Sequence, residues 1–185
     1  MSLRRESRVT RAQTLWAIIV LACLPGTATA QAPAETDQAK FLRLPRHLER
    51  FPLDPDAKPM RAWLLEWAVR TPDLVVTVCS FLEPKLEVES HYGGLLFMQM
   101  LYGNAAWQIT HPEQRADVVA PQIAGVRSAL KAYAEISIER PEAQIAVFDT
   151  LAIADQRGTL EKTLEPRILE ACRKDVGPST GDGAP

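Results

Sequence analysis

Val119, Ile123, Val126, Leu130 and Tyr133 follow one another at steps of four, three, four and three residues, so an α-helix places all five on one face. A chain with such a seam has to bury it against a second element, and the apolar residues elsewhere repeat with a similar period. Trp63, Leu64, Trp67 and Ala68 make one stripe, with Arg61, Glu66 and Arg70 facing away from it. Ile145, Phe148, Leu151 and Ala152 make another, closed by Gly158 as a left-handed C-cap. Leu160, Leu164, Ile168 and Cys172 make the last, and Pro166 within it predicts a kink or an early break. From Ser90 to Thr110 apolar residues lie on all sides of a helical wheel, the pattern of a central helix covered by its neighbours. Gly94 and Gly103 in that stretch lower its helix propensity and leave room for another backbone. The period therefore predicts an all-α protein, an antiparallel helical bundle or an array of helical hairpins with about five to six helices.

Proline and capping residues set the expected boundaries. Pro45, Pro52 and Pro55 limit Phe41 to Asp56 to a short helical turn that presents Phe41, Leu44, Leu48 and Phe51 to the core. Asp56 is read as a cap, with Pro59 in the first turn behind it. Thr71-Pro72-Asp73 carries a hydroxyl, a proline and a carboxylate in the order of a helix start. On that signal Leu74 to Leu82 is predicted helical, although its β-branched residues favour a strand. His111-Pro112 closes the central helix, Pro121 falls near the first turn of the next, and Pro141 ends it.

The first thirty residues stand apart. Arg4, Arg5, Arg8 and Arg11 form a basic head, Leu15 to Leu24 an apolar run too short for a mature span, and Ala28-Thr29-Ala30 a small-x-small cleavage site. This is the pattern of a signal peptide cut before Gln31, which sends the protein to the periplasm or outside the cell. The rival reading is lipidation at Cys23, where Val20-Leu21-Ala22-Cys23 resembles a bacterial lipobox with a bulky Leu21 in a position that is usually small. Residues 31–40 read as a flexible lead-in, 41–174 as a single helical domain, and 175–185 as a disordered tail. Cys79 and Cys172 remain after cleavage, and an even pair in an oxidising compartment predicts a disulfide.

Charge and motifs narrow the function. Four of the 21 basic residues and one of the 23 acidic ones lie in the leader, leaving 17 against 22 and a mature charge of -5. That balance offers no basic surface for nucleic acid and no attraction to anionic membranes. No P-loop, G-x-G-x-x-G, G-x-S-x-G or H-E-x-x-H occurs, and no C-x-x-C supports a redox or zinc site. Ser128-Ala129-Leu130-Lys131 matches the S-x-x-K of penicillin-binding enzymes, but K-T-G is missing, so Ser128 and Lys131 are read as the polar face of a helix. Glu87, Glu89 and His91 alternate and would share one face of an extended segment, a weak polar cluster read as a solvated loop. His47, His91 and His111 are otherwise scattered, and no nucleophile, base and orienting group are recognisable together. Trp63, Trp67, Tyr102 and Trp107 would line a pocket for an apolar ligand if they met; aromatics at helical spacing are more often core. No catalytic residue, metal ligand or cofactor is therefore assigned.

The stretch from Gly125 to Ala143 resembles the second helix of a tetratricopeptide repeat, with Ala129 and Ala132 before Tyr133 and Pro141 at the turn. The likeness covers one helix and its exit, and no 34-residue period recurs along the chain. The TPDLVVTVC and ITHPEQ-to-ALKAY stretches are similar to small exported bacterial proteins of unknown function. Paired helices of the kind this one resembles leave a groove, so the resemblance implies a protein or peptide partner, with Arg127 and Lys131 as the expected contact face. The expected function is thus an exported interaction or scaffold module; the alternative is a helical-bundle carrier of a small apolar ligand. Intact-mass measurement of the exported protein is expected to give a chain beginning at Gln31, and a lipid-modified chain beginning at Cys23 would contradict this.

Overall fold

Asp117 accepts the backbone N–H groups of Val119 and Ala120 through one carboxylate oxygen, at 2.8 and 2.9 Å, and this cap starts the helix that carries the long seam. The computed structural model describes residues 34–72, 74–77, 79–82 and 91–175, and the residues from Glu35 onward belong to one compact unit. Among them are six α-helices: α1 Asp37–Arg50, α2 Ala57–Arg70, α3 Gly93–Thr110, α4 Val119–Glu139, α5 Ala146–Gln156 and α6 Leu160–Asp175. A 3-10 turn, Pro112–Gln114, links α3 to α4, and the described residues contain no strand. The predicted leader, Cys23 and the residues after 175 lie outside the described residues.

The all-α expectation holds, with four local corrections. First, α1 is a helix of 14 residues rather than a short turn, so Asp37 to Lys40, placed in the lead-in, form its first turn under a cap by Thr36. Pro45 lies inside it. A proline there costs about 3 kcal/mol. Burying each of Phe41, Leu44 and Leu48 stabilises by roughly 1.5–3 kcal/mol, so packing prevails over the lost hydrogen bond. Second, Pro166 does not end α6, because it sits exposed while Leu160, Leu164 and Ile168 are fully buried on the opposite side. Asp175, expected to open the tail, is the last residue of that helix. Third, Asp56 precedes α2 but makes no side-chain cap; its own N–H is taken by Asp54 at 2.7 Å.

The fourth correction matters most. Leu74 to Leu82 is not a helix: residues 74–77 and 79–82 are irregular. Thr71 cannot start a helix because its N–H and its hydroxyl both bond the carbonyl of Trp67, at 3.0 and 2.8 Å, which terminates α2 instead. The β-branched residues beyond then stay out of the helical region, and side chains from elsewhere hold the strap. Gln122 Nε2 donates to the carbonyl of Thr77 at 2.8 Å, and Arg167 Nη2 to that of Phe81 at 2.8 Å. Cys79 is bonded to Cys172 of α6.

The centre of the fold is the antiparallel pair α3 and α4. Met100 and Asn104 face Gly125, and Gln99 faces Ser128. Neither glycine at the crossing tolerates a side chain: a Cβ on Gly125 would lie 2.5 Å from the Met100 carbonyl oxygen, and one on Gly103 would run into the Ser128 side chain. On one side α3 contributes Leu96 and Met100 to a core shared with the strap, α4, α5 and α6. On the other it contributes Tyr102 and Ala105 to a smaller core with Phe41, Leu44 and Leu48 of α1 and Leu64 of α2. This confirms α3 as the central helix. A Schellman turn ends α5 as expected, with Gly158 at φ 66° and the N–H of Thr159 on the carbonyl of Ala154 at 2.8 Å.

Gly94, by contrast, has open space around it. Gly125→Ala is therefore expected to destabilise by about 1–3 kcal/mol, the range for overpacking, while Gly94→Ala in the neighbouring helix stabilises by about 0.5–1 kcal/mol. Urea unfolding of the two variants checks this, and equal midpoints would contradict it.

Candidate functional site

The strap, the C-terminal half of α3, the start of α4 and the end of α6 enclose a groove of about 480 Å³, open to solvent on one side. Cys172 lies in its wall, so the disulfide that fixes the strap also fixes the groove. The Cys79–Cys172 bond predicted from the sequence is present, with the two Cα atoms 4.9 Å apart and a separation of 93 positions along the chain. Closing a loop of that length restricts the unfolded chain by about 4–5 kcal/mol in the chain-entropy account.

Three exposed apolar side chains face this groove: Val75 from the strap, Val118 before α4 and Leu169 from α6, at 71%, 44% and 42% exposure. Beneath them lie the buried amides of Asn104, Gln108 and Gln122. Gln108 Nε2 donates to Asn104 Oδ1 at 2.7 Å, one helical turn away, while Gln122 is committed to the strap and also lies 3.6 Å from Cys79 Sγ. Among the described residues no partner engages Asn104 Nδ2 or Gln108 Oε1, which leaves one donor and one acceptor for a ligand. Arg115, Asp117 and Arg173 stand at the rim, with Asp117 already spent on the α4 cap.

A second polar arrangement joins α1 to α4. Ser128 Oγ donates to Glu49 Oε1 at 2.7 Å, Lys131 Nζ meets Glu49 Oε2 at 3.0 Å, and Gln99 Nε2 donates to both Ser128 Oγ, at 2.9 Å, and the Pro45 carbonyl, at 3.1 Å. Ser128 is thus not on the outer polar face expected of it; it is 2% exposed, in the α3–α4 contact. A hydroxyl, a carboxylate and an orienting amide do come together, which the sequence did not reveal because Glu49 is 79 residues away. The arrangement lacks what acyl transfer needs: Ser128 sits in mid-helix, where neighbouring N–H groups are used by the helix and cannot form an oxyanion hole. It braces α1 against α4 beside a shallow hollow of about 540 Å³.

The remaining expected residues are dispersed. Arg127 and Lys131 are exposed, and each is ion-paired within the fold, Arg127 with Asp155 at 2.9 Å and Lys131 with Glu49. Glu87 and Glu89 lie outside the described residues, and His91 is exposed. His47 pairs with Asp54 at 2.8 Å, and Asp54 is held below the usual carboxylate range by the Asp56 N–H and then by His47. His111 stacks on Trp107, with ring centres 4.5 Å apart. Trp63 and Trp67 stack on each other beside Phe41, with Lys40 over the Trp63 ring, so this aromatic pair packs on α1 instead of joining Trp107 around a cavity. Tyr102 donates to the Arg61 carbonyl at 2.9 Å, and burial pushes its hydroxyl up to about 12, which leaves it a donor rather than an acid.

Among the described residues no group of His, Cys, Asp and Glu could hold a metal, and no helix is long and apolar enough to cross a membrane. Comparison with known families, curated proteins and solved structures finds no match, so function has to be argued from geometry. The groove was hidden from sequence reasoning because Val75, Asn104, Arg115 and Leu169 come from four separate segments. Its one visible trace was the run of amides, Asn104 and Gln108, within an apolar helix.

Reduction of the disulfide is expected to release the strap before the helices. Thermolysin should then cleave within residues 74–82 while the far-UV circular dichroism keeps its helical form. Equal cleavage of oxidised and reduced protein would contradict this.

Proposed function

We propose that the mature domain is an exported binding module that takes an extended segment of a protein partner into the groove beside the disulfide. The observation that carries this reading is the convergence of Val75, Val118 and Leu169, all exposed, above a floor of amide groups. Apolar walls supply the burial that drives association, and Asn and Gln side chains supply the paired donor and acceptor that a peptide main chain requires. An open trough of this size accommodates several residues of chain, whereas a carrier for a small molecule needs an enclosed pocket that removes most of the ligand surface from water. The mostly apolar hollow between α2 and α3, lined by Leu65, Val69 and Leu101, measures about 290 Å³ and is open as well. It therefore favours the carrier reading less than the groove favours the peptide reading.

The helix from Gly125, which resembles the second helix of a tetratricopeptide repeat, supports the same class of function, with a different face in use. Arg127 and Lys131, expected as the contact face, are occupied by Asp155 and Glu49. The binding surface proposed here is formed by the strap and the start of α4.

Selection of displayed peptides on the oxidised mature domain tests the proposal. Enriched peptides are expected to lose about tenfold or more in affinity with Val118→Gln or Leu169→Gln, since burying an unpaired amide against the ligand forfeits the apolar contact. Ile138→Arg, at an exposed position in α4 away from the groove lining, should leave binding unchanged. Peptides that bind all three variants equally would refute the groove as the site.

A further inference from the structure

The charge around the groove says which segment it takes, an inference that rests on the peptide-binding reading above. Arg115 and Arg173 stand on its rim, and neither forms an ion pair among the described residues. Glu170 is held below the usual carboxylate range first by Lys174, which bridges it at 2.7 Å, and more weakly by Arg173. Among the described residues one carboxylate lines the groove, Asp117, whose Oδ1 accepts the first N–H groups of α4. Among the described residues two guanidinium groups outside any ion pair therefore share the groove with one carboxylate, in a mature chain whose net charge is -5. A locally positive groove on a negative protein is a selective feature, because the overall field repels acidic chains everywhere else.

We infer that the groove recognises an extended acidic peptide segment in which apolar side chains alternate with carboxylates. In an extended chain successive side chains point to opposite sides. One set would enter the apolar wall made by Val75 and Leu169 while the other reaches the rim, where Arg115 and Arg173 offer forked donors that match a carboxylate. Asn104 Nδ2 and Gln108 Oε1, on the same face of α3, take the carbonyl and the N–H of the main chain between them. A basic segment meets two like charges at the rim. A neutral one makes the apolar and amide contacts alone.

Three fluorescein-labelled, C-terminally amidated pentapeptides test this by anisotropy on the oxidised mature domain: valine and leucine alternating with glutamate, with glutamine, or with lysine. The glutamate peptide is expected to bind roughly tenfold tighter than the glutamine one at low salt, with the gap narrowing as salt screens the exposed charges. The double variant Arg115→Glu/Arg173→Glu should reverse the order in favour of lysine, with its thermal midpoint verifying that the fold is intact. Equal binding of glutamate and glutamine peptides, both weakened by the uncharged Leu169→Gln, would overturn the acidic preference and leave the groove standing. Binding of neither peptide, or binding indifferent to Leu169→Gln, would overturn the groove and the inference together.

Discussion

The close approach of α3 and α4 at Gly103 and Gly125 is the contact on which the rest of the structure depends. With no side chain at either position, the Met100 carbonyl lies where a Cβ of Gly125 would begin, and Ser128 fills the space over Gly103. Because the backbones meet there, the small polar side chains around the crossing are sealed from water and have to satisfy one another. Gln99 bridges Ser128 and the Pro45 carbonyl, and Ser128 passes the connection to Glu49. The crossing thus fixes α1 as well as the central pair. Its cost is one orphan, Gln99 Oε1, which is buried without a partner. The bonds made by the amide nitrogen and by Ser128 offset that loss, since each buried hydrogen bond contributes about 1 kcal/mol.

From this pair the two cores divide the labour. The smaller one holds α1 and α2 on α3, and the larger one seats α5, α6 and the strap on α4. The strap is the exception to helical packing, since its described residues, 74–77 and 79–82, have little main-chain pairing of their own and are held by Gln122, Arg167 and the disulfide. A segment held by a few side-chain links can present Val75 to solvent without unfolding the domain. The same dependence places the least self-sufficient segment of the described chain at the groove proposed as the binding site, and loops on a rigid scaffold commonly carry such sites.

Much of the architecture was legible because periodicity reports burial directly. The seam from Val119 to Tyr133, the stripe from Leu160 to Cys172 and the all-round apolar stretch of α3 became the buried helices they imply. The errors arose where a local signal has two meanings. Thr71-Pro72-Asp73 is the pattern of a helix start, but Thr71 also follows a helix, and its hydroxyl turned back to Trp67. Pro45 reads as a limit on a long helix and Pro166 as a kink or an early break, yet both helices continue through them because tertiary burial outweighs the proline. The site was the least legible part. A single sequence carries no trace of the contact between Glu49 and Ser128, and none of the meeting of Val75 with Leu169 across a groove. The disulfide was readable because it required only a compartment and an even count.

Native-state hydrogen exchange on the oxidised helical domain tests the central role of the α3–α4 crossing most directly. The account predicts that the amides from Met100 to Asn104 and from Gly125 to Ala129 exchange only through global unfolding, slower than those of α2, α5 and the strap. Exchange along the crossing as fast as in the strap would contradict it.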